Sequence, residues 1–110
     1  MTDLSRVLQA LSDSSRRMLL QRLALGPATS GQLAGVLSVS RPATSQHLRV
    51  LLEAGLVRTT IVGRQHWHEL APSNLYDVER WIGALAEAWT TAPALQPAPS
   101  NIRTNERHLS

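Results

Sequence analysis

A mainly α-helical domain carrying one small β-hairpin, in the order α-α-α-α-β-β-α, is the fold class this sequence predicts. Three observations predict it. Apolar residues recur at intervals of three and four through the first half of the 110 residues, the spacing of amphipathic helices. One such segment, Ser38 to Gly55, carries helix-boundary residues at both ends and follows its predecessor after a turn of about three residues, Ser38 to Ser40. Directly after Gly55 the helical spacing gives way to β-branched residues on the near side of Gly63-Arg64. A length of 110 residues fits one domain, expected over 1–90, with 91–110 as a flexible tail containing Pro93, Pro97 and Pro99 and few apolar anchors.

Leu4, Val7, Leu8 and Leu11 mark the first helix. Ser12 or Asp13 caps the second, whose apolar set is Met18, Leu19, Leu20, Leu23 and Leu25 and which stops at Gly26-Pro27. Thr29 or Ser30 starts the third, with Leu33, Ala34 and Leu37 facing inward. In the fourth, Ser40 supplies the capping hydroxyl and Pro42 falls in the first turn, where its missing N–H has no helical partner to lose. Gly55 supplies the left-handed stop. Thr44, Leu48 and Leu51 share the inner face of this helix, and Pro42, Gln46, Arg49 and Glu53 project from the other, flanked by Arg41 and Ser45. Leu56 to Val62 and Gln65 to Leu70 then form the hairpin around Gly63-Arg64. Pro72-Ser73 opens a last helix in which Leu75, Val78, Ile82, Leu85 and Trp89 keep near-heptad spacing, with Trp81 beside them.

Two helices joined by so short a turn, the second with a polar outer face and a hairpin behind it, form a winged helix-turn-helix. A short helix buried on one side, with Arg, Ser and Gln at its exposed N-terminal end, suits insertion into the DNA major groove. The expected DNA contacts are Ser40, Arg41, Pro42, Thr44, Ser45, Gln46, His47 and Arg49 on this helix, and Arg58, Arg64 and Gln65 on the hairpin. His47 lies at the edge of the buried face, where it either donates to a phosphate or packs. Arg16 and Arg17 hold the second helix against acidic groups or phosphates.

The core of so small a domain is already supplied by the first helices and the hairpin, so the apolar stripe of the last helix is surplus and needs a partner. Each large side chain it buries would contribute roughly 1.5–3 kcal/mol before ordering costs. The simplest partner is a second copy, joined through Leu4, Val7, Leu8 and Leu11 of the first helix and Leu75, Val78, Trp81, Ile82, Leu85 and Trp89 of the last. The alternative is that the last helix folds back on its own domain.

Composition narrows the chemistry. Formal charge is +3, and all 11 basic residues are Arg, a bias that agrees with nucleic-acid recognition and equally with coding bias. There is no Cys, which removes disulfides, thiolate metal sites and Cys nucleophiles together. No Gly-rich phosphate loop or Ser/His/Asp grouping suggests an enzyme. No stretch resembles a secretory leader or reaches the roughly 18–20 apolar residues of a membrane span, so a cytoplasmic location is expected. His66 and His68, two residues apart on one strand face, read either as exposed imidazoles on the wing surface or as the sole local opening for a metal ion such as Zn²⁺ or Ni²⁺, which would need further ligands.

Leu11-Ser12-Asp13-Ser14-Ser15-Arg16-Arg17, Gly31-Gln32-Leu33-Ala34, Ser40 through Leu51 and Glu53-Ala54-Gly55-Leu56-Val57 resemble the ArsR/SmtB family of bacterial winged helix-turn-helix repressors over about residues 4 to 90. The resemblance implies a homodimer joined by first and last helices, bound to an imperfect inverted repeat of double-stranded operator DNA and released by a signal. It also implies that the helix from Ser40 to Ala54 reads bases while the wing lies over flanking DNA. The family's thiolate sensors carry Cys in or near the third helix, and its last-helix zinc sensors pair Asp/His and His/Glu there. This chain has no Cys, and its last helix offers Asp77, Glu79 and Glu87 without His, so it looks more like the branch without the usual metal ligands. Three functional alternatives remain open: a metal-responsive regulator using His66 and His68, repression relieved by a signal-bearing partner protein, and a protein-interaction module that keeps the fold without binding DNA.

Overall fold

Each of the first four helices starts where a side-chain oxygen can take one of the orphan N–H groups of a first turn. In the computed structural model, which describes residues 3–92, those oxygens come from Asp3, Asp13, Thr29 and Ser40. The elements are α1 (Leu4–Leu11), α2 (Ser14–Leu23), β1 (Ala28–Thr29), α3 (Ser30–Leu37), α4 (Arg41–Glu53), β2 (Val57–Val62), β3 (Gln65–Leu70) and α5 (Ser73–Thr91). At α3 the cap is reciprocal: Thr29 Oγ1 accepts from the Gln32 N–H, and Gln32 Oε1 accepts from the Thr29 N–H. At α2 the Arg16 N–H donates to the Asp13 carboxylate and holds its pKa below the ordinary value, assisted by the Arg16 and His47 charges.

The turn between α3 and α4 is the expected Ser38 to Ser40, and it is tight enough to force Ser38 into the left-handed region at φ 56°. Ser40 caps α4 and Pro42 sits in its first turn. The far end closes with Gly55 N–H on Leu52 O and Leu56 N–H on Leu51 O, with Gly55 at φ +71°. Thr44, Leu48 and Leu51 are buried as their spacing predicts. They join Leu19, Leu33 and Leu56 in a core that α2, α3, α4 and the hairpin all line.

Four corrections to the expected layout emerge. A third strand, β1, pairs antiparallel with β3, so the sheet order is β1-β3-β2 rather than a lone hairpin; two residues are too few to show an alternating pattern. Met18 and Leu25 are exposed, because only Leu19, Leu20 and Leu23 fall on the inner face of α2 and Leu25 lies beyond its end. Val7 and Val78, expected between two chains, are buried in the chain's own core, with Leu4, Leu11 and Leu75 packed partly against it. One compact unit runs to Glu79 and a second begins at Arg80, inside α5, where residues 80 to 91 are exposed. The expected tail from Pro93 onward lies outside the described residues. His68, expected on an exposed wing surface, is only 4% exposed.

His68 occupies the central strand. Its Nε2 lies 2.8 Å from Ser30 Oγ and its Nδ1 2.8 Å from Thr59 Oγ1, so one imidazole joins β3 to β2 and to the start of α3. Burial lowers its pKa below the ordinary 6.5, and the neighbouring His66 charge adds to the effect. The folded state therefore favours the neutral ring. Its stabilising contribution is fully present above the ordinary imidazole value and is lost as pH falls through that value toward the lower folded one.

Two measurements check this account. Leu51→Ala should destabilise the fold by about 2–5 kcal/mol and Ser40→Ala by about 1 kcal/mol, both read by urea unfolding. Thermal midpoints should stay level above neutrality and drop once pH falls below about 6.5, and His68→Gln should flatten that drop.

Candidate nucleic-acid interface

Burying one face of α4 leaves the other outside. Arg41, Pro42, Ser45, Gln46 and Arg49 are exposed, as is the capping residue Ser40. Thr44 is not: its hydroxyl is buried and donates to Ser40 O at 3.0 Å, so its predicted DNA contact is withdrawn. A threonine that both faces the core and satisfies its own hydroxyl on the preceding turn cannot reach a groove. His47 is half-buried, with Nδ1 3.8 Å from Asp13 Oδ2, and so turns toward the start of α2.

The arginines separate by what they already hold. Arg16 donates to Ala10 O and Gln9 O, and Arg17 to Leu11 O, so these two side chains satisfy the open carbonyls at the end of α1. Sequence reasoning assigned them a structural task, but with acidic groups or phosphates as partners. Arg22 donates to Gly26 O. Arg58 pairs with Glu69 at 3.3 Å across the β2–β3 ladder, where the two are direct partners. Arg41, Arg49 and Arg64 have no ion-pair partner among the described residues.

Arg64 and Gln65 stand at the hairpin end, where Gly63 takes φ +62°. They line an open cleft of about 240 Å³ together with His66, Arg41 and the first residues of α3, Ser30 and Gly31. The chain positions that meet here are far apart in sequence, and only the Thr29-x-x-Gln32 capping pattern hinted that α3 begins there. His66 and His68 do share a strand face as predicted, yet His68 uses both ring nitrogens on Ser30 and Thr59. Among the described residues no group of three or more His, Asp or Glu side chains is placed to hold a metal ion, and no helix is long and apolar enough to cross a membrane.

Known proteins share both the pattern and the geometry. Residues 11–60 match the family described as a helix-turn-helix domain. The chain is 46% identical over 85 residues to the HTH-type transcriptional regulator Rv2034 of Mycobacterium tuberculosis, covering 73% of this chain and 79% of that one. It is 36% identical over 76 residues to the arsenical resistance operon repressor of Staphylococcus aureus, covering 69% and 73% respectively. Among solved structures, the ArsR family transcriptional regulator RHA00566 superposes with a TM-score of 0.75 at 32% identity, over 82% of this chain and 97% of its own. With a helix-turn-helix whose second helix is polar outward, a hairpin wing behind it and these relatives over most of its length, the chain belongs to the ArsR family of DNA-binding, winged helix-turn-helix transcriptional regulators.

Proposed function

We propose that the chain is a repressor that binds an inverted-repeat operator as a homodimer. The observation that carries this reading is the one-sided burial of α4: Thr44, Leu48 and Leu51 anchor it, and Ser45, Gln46 and Arg49 stand exposed on its outer side. Gln46 has the paired donor and acceptor that match an adenine edge. Arg49, about one turn further on and without an ion-pair partner among the described residues, suits a phosphate or a guanine. Arg64 and Gln65 reach flanking DNA from the wing. The relatives named as repressors support repression as the outcome.

The dimer reading rests on α5. Trp81, Ile82, Leu85 and Trp89 are 43% to 59% exposed, and their spacing puts them along one stripe of the helix. Leu8 of α1, also exposed, is the remaining member of the predicted interface that its own core does not bury. Inverted half-sites one turn of duplex apart require two recognition helices about 34 Å apart, which a two-fold contact through this stripe would have to supply. Sensing of a metal through His66 and His68 has no comparable support, since His68 is committed to its two hydroxyl partners.

Operator selection from a randomised duplex pool, followed by gel-shift titration, tests the DNA reading. Gln46→Ala should relax preference at one position per half-site by about 1–3 kcal/mol. Arg49→Ala should weaken binding, and wild-type affinity should fall steeply with salt. Unchanged affinity and preference in both variants would remove the assignment. Trp81→Asp with Leu85→Asp should shift sedimentation from dimer to monomer and weaken operator binding, whereas a wild type that sediments as a monomer would sink the dimer reading.

A further inference from the structure

Arg41 is the first residue of α4, and on position alone it is a candidate base reader. Its guanidinium lies elsewhere. A Cβ added to Gly31 would stand 3.0 Å from Arg41 Nη2, so the side chain folds back across the start of α3 and the missing side chain at Gly31 gives it room. Arg64 and His66 enter the same cleft from the hairpin side, and none of the residues around it is acidic. Two arginines thus line one open space of about 240 Å³, the Arg41 guanidinium beside Gly31, and neither has an ion-pair partner among the described residues. Like charges brought together without a counter-charge repel unless an anion sits between them. The N–H groups of Ser30 and Gly31, in the first turn of α3, have no acceptor within their helix and add to the positive potential.

We propose that this cleft seats one phosphate of the DNA backbone, held between Arg41 and Arg64, and that Arg41 positions the recognition helix instead of reading a base. The inference rests on the DNA-binding reading above and deepens it. One phosphate gripped from both α4 and the wing fixes the two contacting elements on the same strand, which sets register without carrying sequence information. Gln46 and Ser45, further along the exposed face, are left to read base edges.

The test uses the full chain and the selected operator duplex. Arg41→Ala should lower affinity about ten-fold for operator and unrelated duplex alike. It should make the dependence of log affinity on log salt shallower by about one and leave base preference unchanged. Arg64→Ala should behave the same way, and the double variant should lose less than the two single losses combined, because both arginines act on one phosphate. Replacing backbone phosphates one at a time by neutral methylphosphonate should reveal a position per half-site where neutralisation weakens wild type about ten-fold but barely affects Arg41→Ala. Relaxed preference at one base pair with an unchanged salt slope would make Arg41 a base reader and overturn the proposal. So would a methylphosphonate profile identical in wild type and variant. Inorganic phosphate alone saturating the cleft, read from Gly31 and His66 NMR shifts that vanish in Arg41→Ala, would make it a small-anion site and overturn the backbone assignment. A wild type that selects no duplex at any salt would instead fail the DNA reading itself.

Discussion

The fold depends on α4 being buried along one side and nowhere else. Leu48 and Leu51 sit at 4% and 0% exposure while Arg49, between them in sequence, is exposed. α4 lies against α1, α2, α3 and β2 at once, so its rotation about its own axis is over-determined. A helix held by its apolar side against several neighbours presents its polar side as a fixed set of side chains. The capping Ser40 and the left-handed Gly55 set where that set begins and ends.

Charge is distributed to serve the same end. Arg16, Arg17 and Arg22 are consumed on carbonyls at helix ends, and Arg58 on Glu69. Among the described residues, Arg41, Arg49 and Arg64 have no ion-pair partner, and they lie on or beside α4 and the hairpin end. A net charge of only +3 is therefore compatible with a locally basic surface, because the fold ties some arginines to carbonyls or a carboxylate and leaves others free to meet an anion. Exposed ion pairs such as Arg58–Glu69 contribute little to stability; its larger effect is to hold that guanidinium over the ladder.

Much of this was legible in the chain. Helix boundaries marked by Asp13, Thr29, Ser40 and Gly55, and the inward set Thr44, Leu48 and Leu51, follow from capping chemistry and a 3.6-residue period, both local properties. Less legible was which apolar residues meet which partner. Val7 and Val78 carry the same signal whether they face their own core or a second chain, and periodicity reports amphipathicity without naming the other side. β1 was too short to register. His68 read as an exposed wing residue because its two hydroxyl partners, Ser30 and Thr59, lie 38 and 9 positions away. The cleft holding Arg41 and Arg64 was invisible for the same reason: contacts made by the fold across distant sequence leave no local pattern. Arg16 and Arg17 were placed correctly as structural, but a carbonyl acceptor, unlike a carboxylate, has no letter in the sequence.

The joint after the recognition helix has a consequence for how such a protein can diversify. Gly55 is bound to its identity twice over: its φ of +71° disfavours any side chain, and a Cβ there would collide with Asn74 Nδ2, the group that donates to Ala54 O. Replacing Asn74 to relieve the collision would leave the backbone angle, and easing the backbone would leave the collision. No single substitution at this corner opens a path to a different angle between helix and wing. New binding preferences in descendants of this chain are therefore reached by exchanging exposed side chains on α4 and the wing, with the bend that joins them inherited unchanged.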